Sequence, residues 1–391
     1  MRELSRLLAT IPPSVTLTAN DRAKALQAAG EDIIALAGGD PDFDTPADVA
    51  EAGIAAIRAG RTHYPAPAKG SRPLLAAIAA KLARDNAVEV DPETDVVVTP
   101  GSKWALFIAL AAVLNPGDEV LYLEPCWVSY PSMIRLAGGE PRPVTLPAEE
   151  NFSLTSELLR AQLSPRSKAL LVNNPNNPTG RVLTRPEVDA IVAVAQEADL
   201  YVISDEVYEK LIFDNRRHYS LAAEPGMAER TLTSNGLSKA FAMTGWRLGW
   251  LVGPTAAMRL AARMHSQAIT SAATFSMDAA VAALTGPQDA VDAMCRAYQA
   301  RRDFMVEALN EIEGIRCARP EGAFYLLPRF PAAGKNSLEL AEALLAKAGI
   351  AATPGVAFGR NLDDCVRFSI ATAMSELERA VERLRPVAAD L

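Results

Sequence analysis

Short apolar runs with few polar interruptions recur through the middle of the chain, at residues 96–99, 119–123, 169–173, 201–204, 231–234 and 248–252. A strand buried on one face alternates apolar and polar positions, whereas one buried on both faces reads as a continuous apolar run. Stretches with helical spacing separate these runs. The pattern predicts an α/β fold with a large domain built on a mostly parallel, helix-flanked sheet. Upstream, helical spacing over 21–29 stops at Gly30. A strand is expected over 33–37 and helices over 48–59 and 74–85. Pro65 and Pro67 keep residues 64–70 out of a helix. Beyond Gly286-Pro287 the pattern changes: a long helix over 289–312, strands near Ile315, over 323–327 and over 366–370, and a helix over 375–384. This tail reads as a smaller α+β domain joined by an N-terminal segment. The expected division is an arm at 1–15, a large domain at 46–287, and a small domain formed by 16–45 with 288–391.

Composition narrows the partners. The chain has 391 residues, a net charge of −8 and a pI near 5.2, which argues against nucleic acid or an anionic membrane. The apolar run at 104–114 is too short to span a bilayer, and residues 1–13 lack the apolar core of a secretion signal. The four cysteines form no C-x-x-C pair and the three histidines share no ligand spacing. A reducing, cytoplasmic setting without a bound metal is expected.

In a doubly wound sheet, ligands sit outside the carboxyl ends of the strands, so the residues just past each run carry the information. After 96–99 comes Gly101-Ser102-Lys103 at a helix start, where free N–H groups can hold an anion. After 119–123 comes Trp127, an aromatic able to stack on a flat ligand. After 169–173 comes Asn177, after 201–204 Asp205 and Tyr208, and after 231–234 Ser238-Lys239. Lys239 sits among small and apolar residues. Desolvation there would lower its pKa and make it a Schiff-base nucleophile. Arg247, eight residues on, offers the planar fork that grips a phosphate. An anion cradle, an aromatic plate, an amide, a carboxylate with a phenol, and an amine together suit one flat, phosphorylated, electron-withdrawing cofactor: pyridoxal 5′-phosphate.

These stretches carry a resemblance. Asn177-Pro178-Thr179-Gly180, Ser204-Asp205-Glu206-Val207-Tyr208, Ser238-Lys239 with Met243-Thr244-Gly245-Trp246-Arg247, and Arg367-Phe368-Ser369 resemble the signatures of fold-type I, class I/II aminotransferases. The bacterial aspartate aminotransferase subgroup is the nearest. The resemblance runs from about Ile11 to the C-terminus. It implies that Lys239 binds the cofactor covalently and then shuttles the proton, that Asp205 pairs with the pyridine nitrogen, and that Tyr208 and Asn177 bond the ring hydroxyl. It implies Gly101, Ser102, Lys103 (chiefly through its N–H), Ser238 and Arg247 on the phosphate, with Trp127 against the ring. Arg367 and the N–H of Gly39 would take the substrate carboxylate, with Trp127 and Asn177 also bordering substrate. Val15, Tyr325 and Phe358 are weaker pocket-wall candidates. The resemblance also implies a homodimer in which Tyr64 reaches the neighbouring subunit's phosphate.

Four departures stand out. Cys126 replaces a usual aromatic, Leu75 stands where an arginine is usual, Tyr64 lies six rather than five residues before Gly70, and Gly236 replaces a hydroxyl of some relatives. The expected activity is transfer of an amino group from an L-amino acid to a 2-oxo acid, 2-oxoglutarate by resemblance, in two half-reactions. No second arginine occupies a recognised substrate motif, so a neutral or aromatic donor is expected to serve at least as well as aspartate. The rivals are a carbon–sulfur β-lyase on the same fold and a non-catalytic effector-binding domain.

Overall fold

The computed structural model describes residues 4–331 and 333–388. The first three residues of the expected arm, Ala332, and the last three of the expected small domain lie outside the described residues. Among the described residues twelve strands form, here numbered in chain order. They are β1 (Ile34–Ala35), β2 (Val96–Thr99), β3 (Glu119–Glu124), β4 (Glu140–Thr145), β5 (Ser167–Asn173), β6 (Tyr201–Asp205), β7 (Thr231–Gly236), β8 (Gly249–Val252), β9 (Tyr325–Leu326), β10 (Ile350–Ala351), β11 (Thr353–Pro354) and β12 (Val366–Ser369).

Seven of them make the expected sheet, in the order β2-β8-β7-β6-β5-β3-β4. All neighbours are parallel except β8, which runs antiparallel to both β2 and β7. Every residue of β2, β3, β7 and β8 is buried, which is why their sequences show no alternation. The exception is β4, which the apolar pattern does not reveal. It carries Pro141 and Pro143 and only Val144 is buried. It pairs with β3 alone, and an edge strand tolerates residues without an N–H.

The smaller domain has a three-stranded antiparallel sheet, β11-β12-β9, and a parallel pair, β1-β10. That pair joins residue 34 to residue 350, tying the N-terminal segment to the C-terminal one. Its core clusters Ile34, Leu36, Phe324, Val366 and Phe368 with Tyr208 and Leu211. Three expectations need correction. No strand forms at Ile315: the neighbouring Arg316 makes an isolated bridge to Arg329. The helix expected at 21–29 starts at Val15, straight after Pro12-Pro13. The one expected at 74–85 starts at Arg72, with Pro73 in its first turn where the missing N–H costs nothing. Its end widens into a π-turn, Leu82–Asn86, closed by Ala87 in the left-handed region at φ 56°. Leu75 is fully buried in the apolar cluster with Leu74 and Ile78.

Candidate active site

The carboxyl ends of β3, β5, β6 and β7 share one edge of the sheet. Strand β8, being antiparallel, enters at that same edge: Gly249 pairs with both Thr99 and Gly236. Its reversed direction is what brings Arg247, two residues earlier, beside the loop carrying Lys239. A cavity of about 410 Å³ opens there. It is lined by Gly39, Ser102, Lys103, Trp127, Asn177, Asp205, Tyr208, Ser238, Lys239, Arg247 and Arg367. Of the residues singled out from sequence, four are not in this lining: Gly101, Tyr64, Val15 and Phe358. Gly101 lies behind it, against Arg247. Tyr64 is 83% exposed and reaches no part of the cavity in this single chain.

At the floor, Asp205 is buried and accepts a 2.7 Å hydrogen bond from the hydroxyl of Tyr130. A longer one, 3.4 Å, comes from the N–H of Val207. Burial raises its pKa to about 6, against the hydrogen bond from Tyr130. Lys239 donates to the carbonyl of Gly39. Desolvation lowers its amine to about 8, opposed by the Asp40 carboxylate and assisted by Arg367 and Arg247. Tyr208 shares a 2.9 Å hydroxyl contact with Tyr325, and burial keeps the Tyr208 phenol protonated well beyond its ordinary range.

Arg367 is the most demanding group. It is 2% exposed. One Nη donates to Asn177 Oδ1 and the other to the carbonyl of Ala37, both at 2.9 Å, and Nε has no partner. The rings of Tyr325 and Phe358 lie 4.2 and 4.7 Å from its guanidinium carbon. Both of its hydrogen bonds go to neutral oxygens. A buried cation in this state is costly until an anion arrives.

The other end of the cavity suits a phosphate. Gly101 adopts φ 90°, ψ 159°, a conformation open essentially to glycine alone. A Cβ there would sit 2.6 Å from the Arg247 guanidinium, and one on Gly249 would sit 2.6 Å from the Ser102 nitrogen. The helix Ser102–Val113 therefore presents first-turn N–H groups that the helix itself cannot satisfy. Arg247 itself is held at φ 52° and Ala242 at φ 49°, so the Lys239–Arg247 loop carries backbone strain beside the site. Lys103 lies over the Trp127 ring, its amine 4.9 Å from the centroid. Its pKa falls by burial and then by the nearby Arg247. A cation pair, a glycine cradle, a flat aromatic, a buried carboxylate and a desolvated amine converge on one space. These residues fit pyridoxal 5′-phosphate.

Several lining residues escaped the sequence reading. Tyr130 lies three positions after Trp127, on the same strand-end turn. Asn173 donates to the Asp205 carbonyl (3.0 Å) and accepts from the Asn177 N–H (2.8 Å), so it fixes both neighbours. Asp40 takes a 2.5 Å bond from Thr244. Ser14, Thr16 and Leu17, not Val15, border the mouth, as does Tyr325, whereas Phe358 lies outside the lining, against Arg367. Cys126 is buried, its N–H bonded to the Phe358 carbonyl at 2.9 Å.

Comparison with known proteins identifies the family. The family model "Aminotransferase class I and II" matches residues 31–384. Aspartate aminotransferase of Musicola paradisiaca is 40% identical, covering 98% of this chain and 96% of that protein. Aspartate/prephenate aminotransferase of Cereibacter sphaeroides is 42% identical over the full length of both. The structure of Thermus thermophilus aspartate aminotransferase with maleate superposes with a TM-score of 0.94 at 42% identity, covering 99% of this chain and 100% of that one. The chain thus belongs to the class I and II aminotransferases, enzymes of the type I fold that transfer amino groups with pyridoxal 5′-phosphate.

Proposed function

We propose that the donor is aspartate or an aromatic L-amino acid and that the acceptor is a 2-oxo acid, 2-oxoglutarate in preference. The observation that carries this is Arg367: a buried guanidinium with a free Nε and no acidic partner awaits the α-carboxylate common to every amino and oxo acid. Because both half-reactions present that same carboxylate, one arginine serves both. The N–H of Gly39 is the second contact. When bound, the cofactor supplies the electron sink for the bond broken at the substrate Cα. Lys239 Nζ would hold it and would take the substrate Cα proton and return it; its lowered pKa suits it to that work. Asp205 would pair with the cofactor's ring nitrogen and keep that nitrogen protonated. Tyr208 and Asn177 would orient its ring hydroxyl, Trp127 would cover its face, and Ser102, Lys103 through its N–H, Ser238 and Arg247 would hold its phosphate, whereas Gly101, expected there too, bonds its N–H to the Thr99 carbonyl at 2.7 Å and serves as the turn beneath them.

Donor choice rests on the remaining wall. Lys103 is the further cation lining the cavity, and its side chain would answer the second carboxylate of aspartate. Trp127 beside it offers a surface for an aromatic donor. The names of relatives, aspartate aminotransferase and aspartate/prephenate aminotransferase, support aspartate as a donor. We place the domain boundaries at 45/46 and 287/288 and the active unit as a homodimer. Exposed Leu4, Leu8 and Leu17 near the N-terminus and an exposed Tyr64 support the dimer. Four free cysteines support a cytoplasmic location. Among the described residues no helix is long and apolar enough to cross a membrane.

The test is a screen of amino donors against several 2-oxo acids, with ammonia release from cysteine-type substrates measured alongside. Transfer from aspartate or an aromatic donor to 2-oxoglutarate is expected to exceed ammonia release. Release outpacing transfer would mean a β-lyase, and neither activity would mean an effector-binding domain.

A further inference from the structure

Asp205 does not stand alone at the floor of the site. Tyr130 is 1% exposed and Asp205 4%, and the 2.7 Å bond between them is the shortest contact the carboxylate makes. The phenol is held protonated well above its ordinary range, by burial first and by the Asp205 charge second, so toward the carboxylate it acts as the donor. Its ring is locked edge-on to Trp127, centroids 5.5 Å apart at 86°, and its N–H bonds the Trp127 carbonyl at 3.1 Å. One turn thus carries both the plate for the cofactor ring and the hydroxyl that grips the carboxylate. The other charged groups bearing on Asp205 are Glu206 beside it, which opposes ionisation, and Lys239 across the cavity, which favours it. Tyr208 contributes a neutral phenol, and Cys126, next to Tyr130, a neutral thiol.

We propose that Tyr130 is a positioning residue that fixes the orientation of the Asp205 carboxylate and keeps it anionic toward the ring nitrogen. A carboxylate in so dry a site would otherwise hold its own proton and lose its charge. A hydrogen bond from a donor that cannot ionise favours the charged form without introducing a competing charge. The inference rests on Asp205 being the ring-nitrogen partner.

The experiment uses cofactor-free full-length protein. Infrared difference titration follows the protonated-carboxyl band of Asp205, assigned by its loss in Asp205→Asn. Tyr130→Phe should raise the midpoint by about one pH unit, the size of a lost hydrogen bond to a charged group. Its cofactor dissociation constant should rise more at pH 6 than at pH 8. Replacing tyrosine biosynthetically with 3-fluorotyrosine, a stronger donor, should move the midpoint down without changing the packing, so the idea stays testable if Tyr130→Phe misfolds. A midpoint unmoved in either protein overturns the proposal. If the midpoint moves but Asp205→Ala binds the cofactor as tightly as the parent, the Asp205 reading fails and the Tyr130 coupling stands.

Discussion

Burial at the two ionisable centres sets both their chemistry and their cost. Asp205 has a folded-state pKa near 6, above its ordinary value of 3.8. Such a group binds its proton more tightly when folded, so its contribution is fully present below the unfolded value and is lost as pH rises through about 6. At pH 7.5 the cofactor-free protein therefore carries a penalty of roughly 2–3 kcal/mol from this one carboxylate. Asp205→Asn should remove it: the variant's cofactor-free form should gain stability over the parent in urea, with the gain growing between pH 4 and 6.5 and then flattening. A gain that ignores pH would contradict this origin. Lys239 is shifted the other way, to about 8, so its neutral, nucleophilic fraction grows through that pH rather than near 10.5. Cofactor uptake by the cofactor-free protein, followed by absorbance, should speed up about tenfold per pH unit below 8 and level off above it. Asp40→Asn should move that midpoint down, since the Asp40 carboxylate favours the charged amine. A rate already flat at pH 6.5 would refute the assignment. Lys239 and Asp205 were legible in the sequence because they follow or end apolar strand runs, and Arg367 because it interrupts one, inside β12. Tyr130 and Asn173 were not, because their partners on Asp205 lie 75 and 32 residues away and nothing local distinguishes them from core or turn residues.

Among the elements, the buried strands were legible because burial on both faces leaves a continuous apolar run. The run of β8 shows that it is buried but not which way it points, since apolarity carries no direction. Its antiparallel course is nevertheless what delivers Arg247 to the edge where the helix Ser102–Val113 begins. Strand β4 stayed hidden because an edge strand with two prolines and one buried residue has no pattern to read. The helix start at Ser102 depends on its neighbour's backbone. Gly101→Ala should force a side chain into a glycine-only conformation and against Arg247 at 2.6 Å. Strain of this kind costs about 1–3 kcal/mol. Because the clash is with a proposed phosphate ligand, the cofactor dissociation constant should rise about tenfold or more. Titrating the cofactor-free variant by fluorescence checks this, and an affinity equal to the parent's would show that the cradle tolerates a methyl group.

At the level of the whole molecule, the sequence pattern joins the N-terminal segment to the smaller domain but does not reveal the pairing that makes the join. Pairing of Ile34 with Ile350 is a contact across more than three hundred residues, and two-residue strands leave no periodicity to detect. That closure places Gly39 and Arg367 at the cavity that the large sheet supplies, so one space is lined by Arg367 together with Lys103, Lys239 and Arg247. The reach of Tyr64 lies in the proposed dimer. Sedimentation should find dimers at assay concentration, and Tyr64→Phe should weaken cofactor retention without dissociating them; a fully active monomer would exclude the assembly. The division of labour among the cations gives the sharpest test of the substrate reading. In the proposed reading Arg367 answers a group common to all substrates, so Arg367→Ala should lower kcat/KM about 10²-fold or more with every donor and both half-reactions. Lys103 is positioned to answer a carboxylate that only some donors carry. Lys103→Ala should then cost aspartate about 10–100-fold in kcat/KM while leaving aromatic donors within a few-fold. The alternative role of Lys103 lies with the phosphate, suggested by the electrostatic influence of Arg247 on its amine. In that case all donors would fall together and cofactor affinity would drop. Measuring kcat/KM for aspartate and phenylalanine beside the cofactor dissociation constant separates the two. Equal losses for both donors with weakened cofactor binding would move Lys103 from substrate choice to the phosphate site.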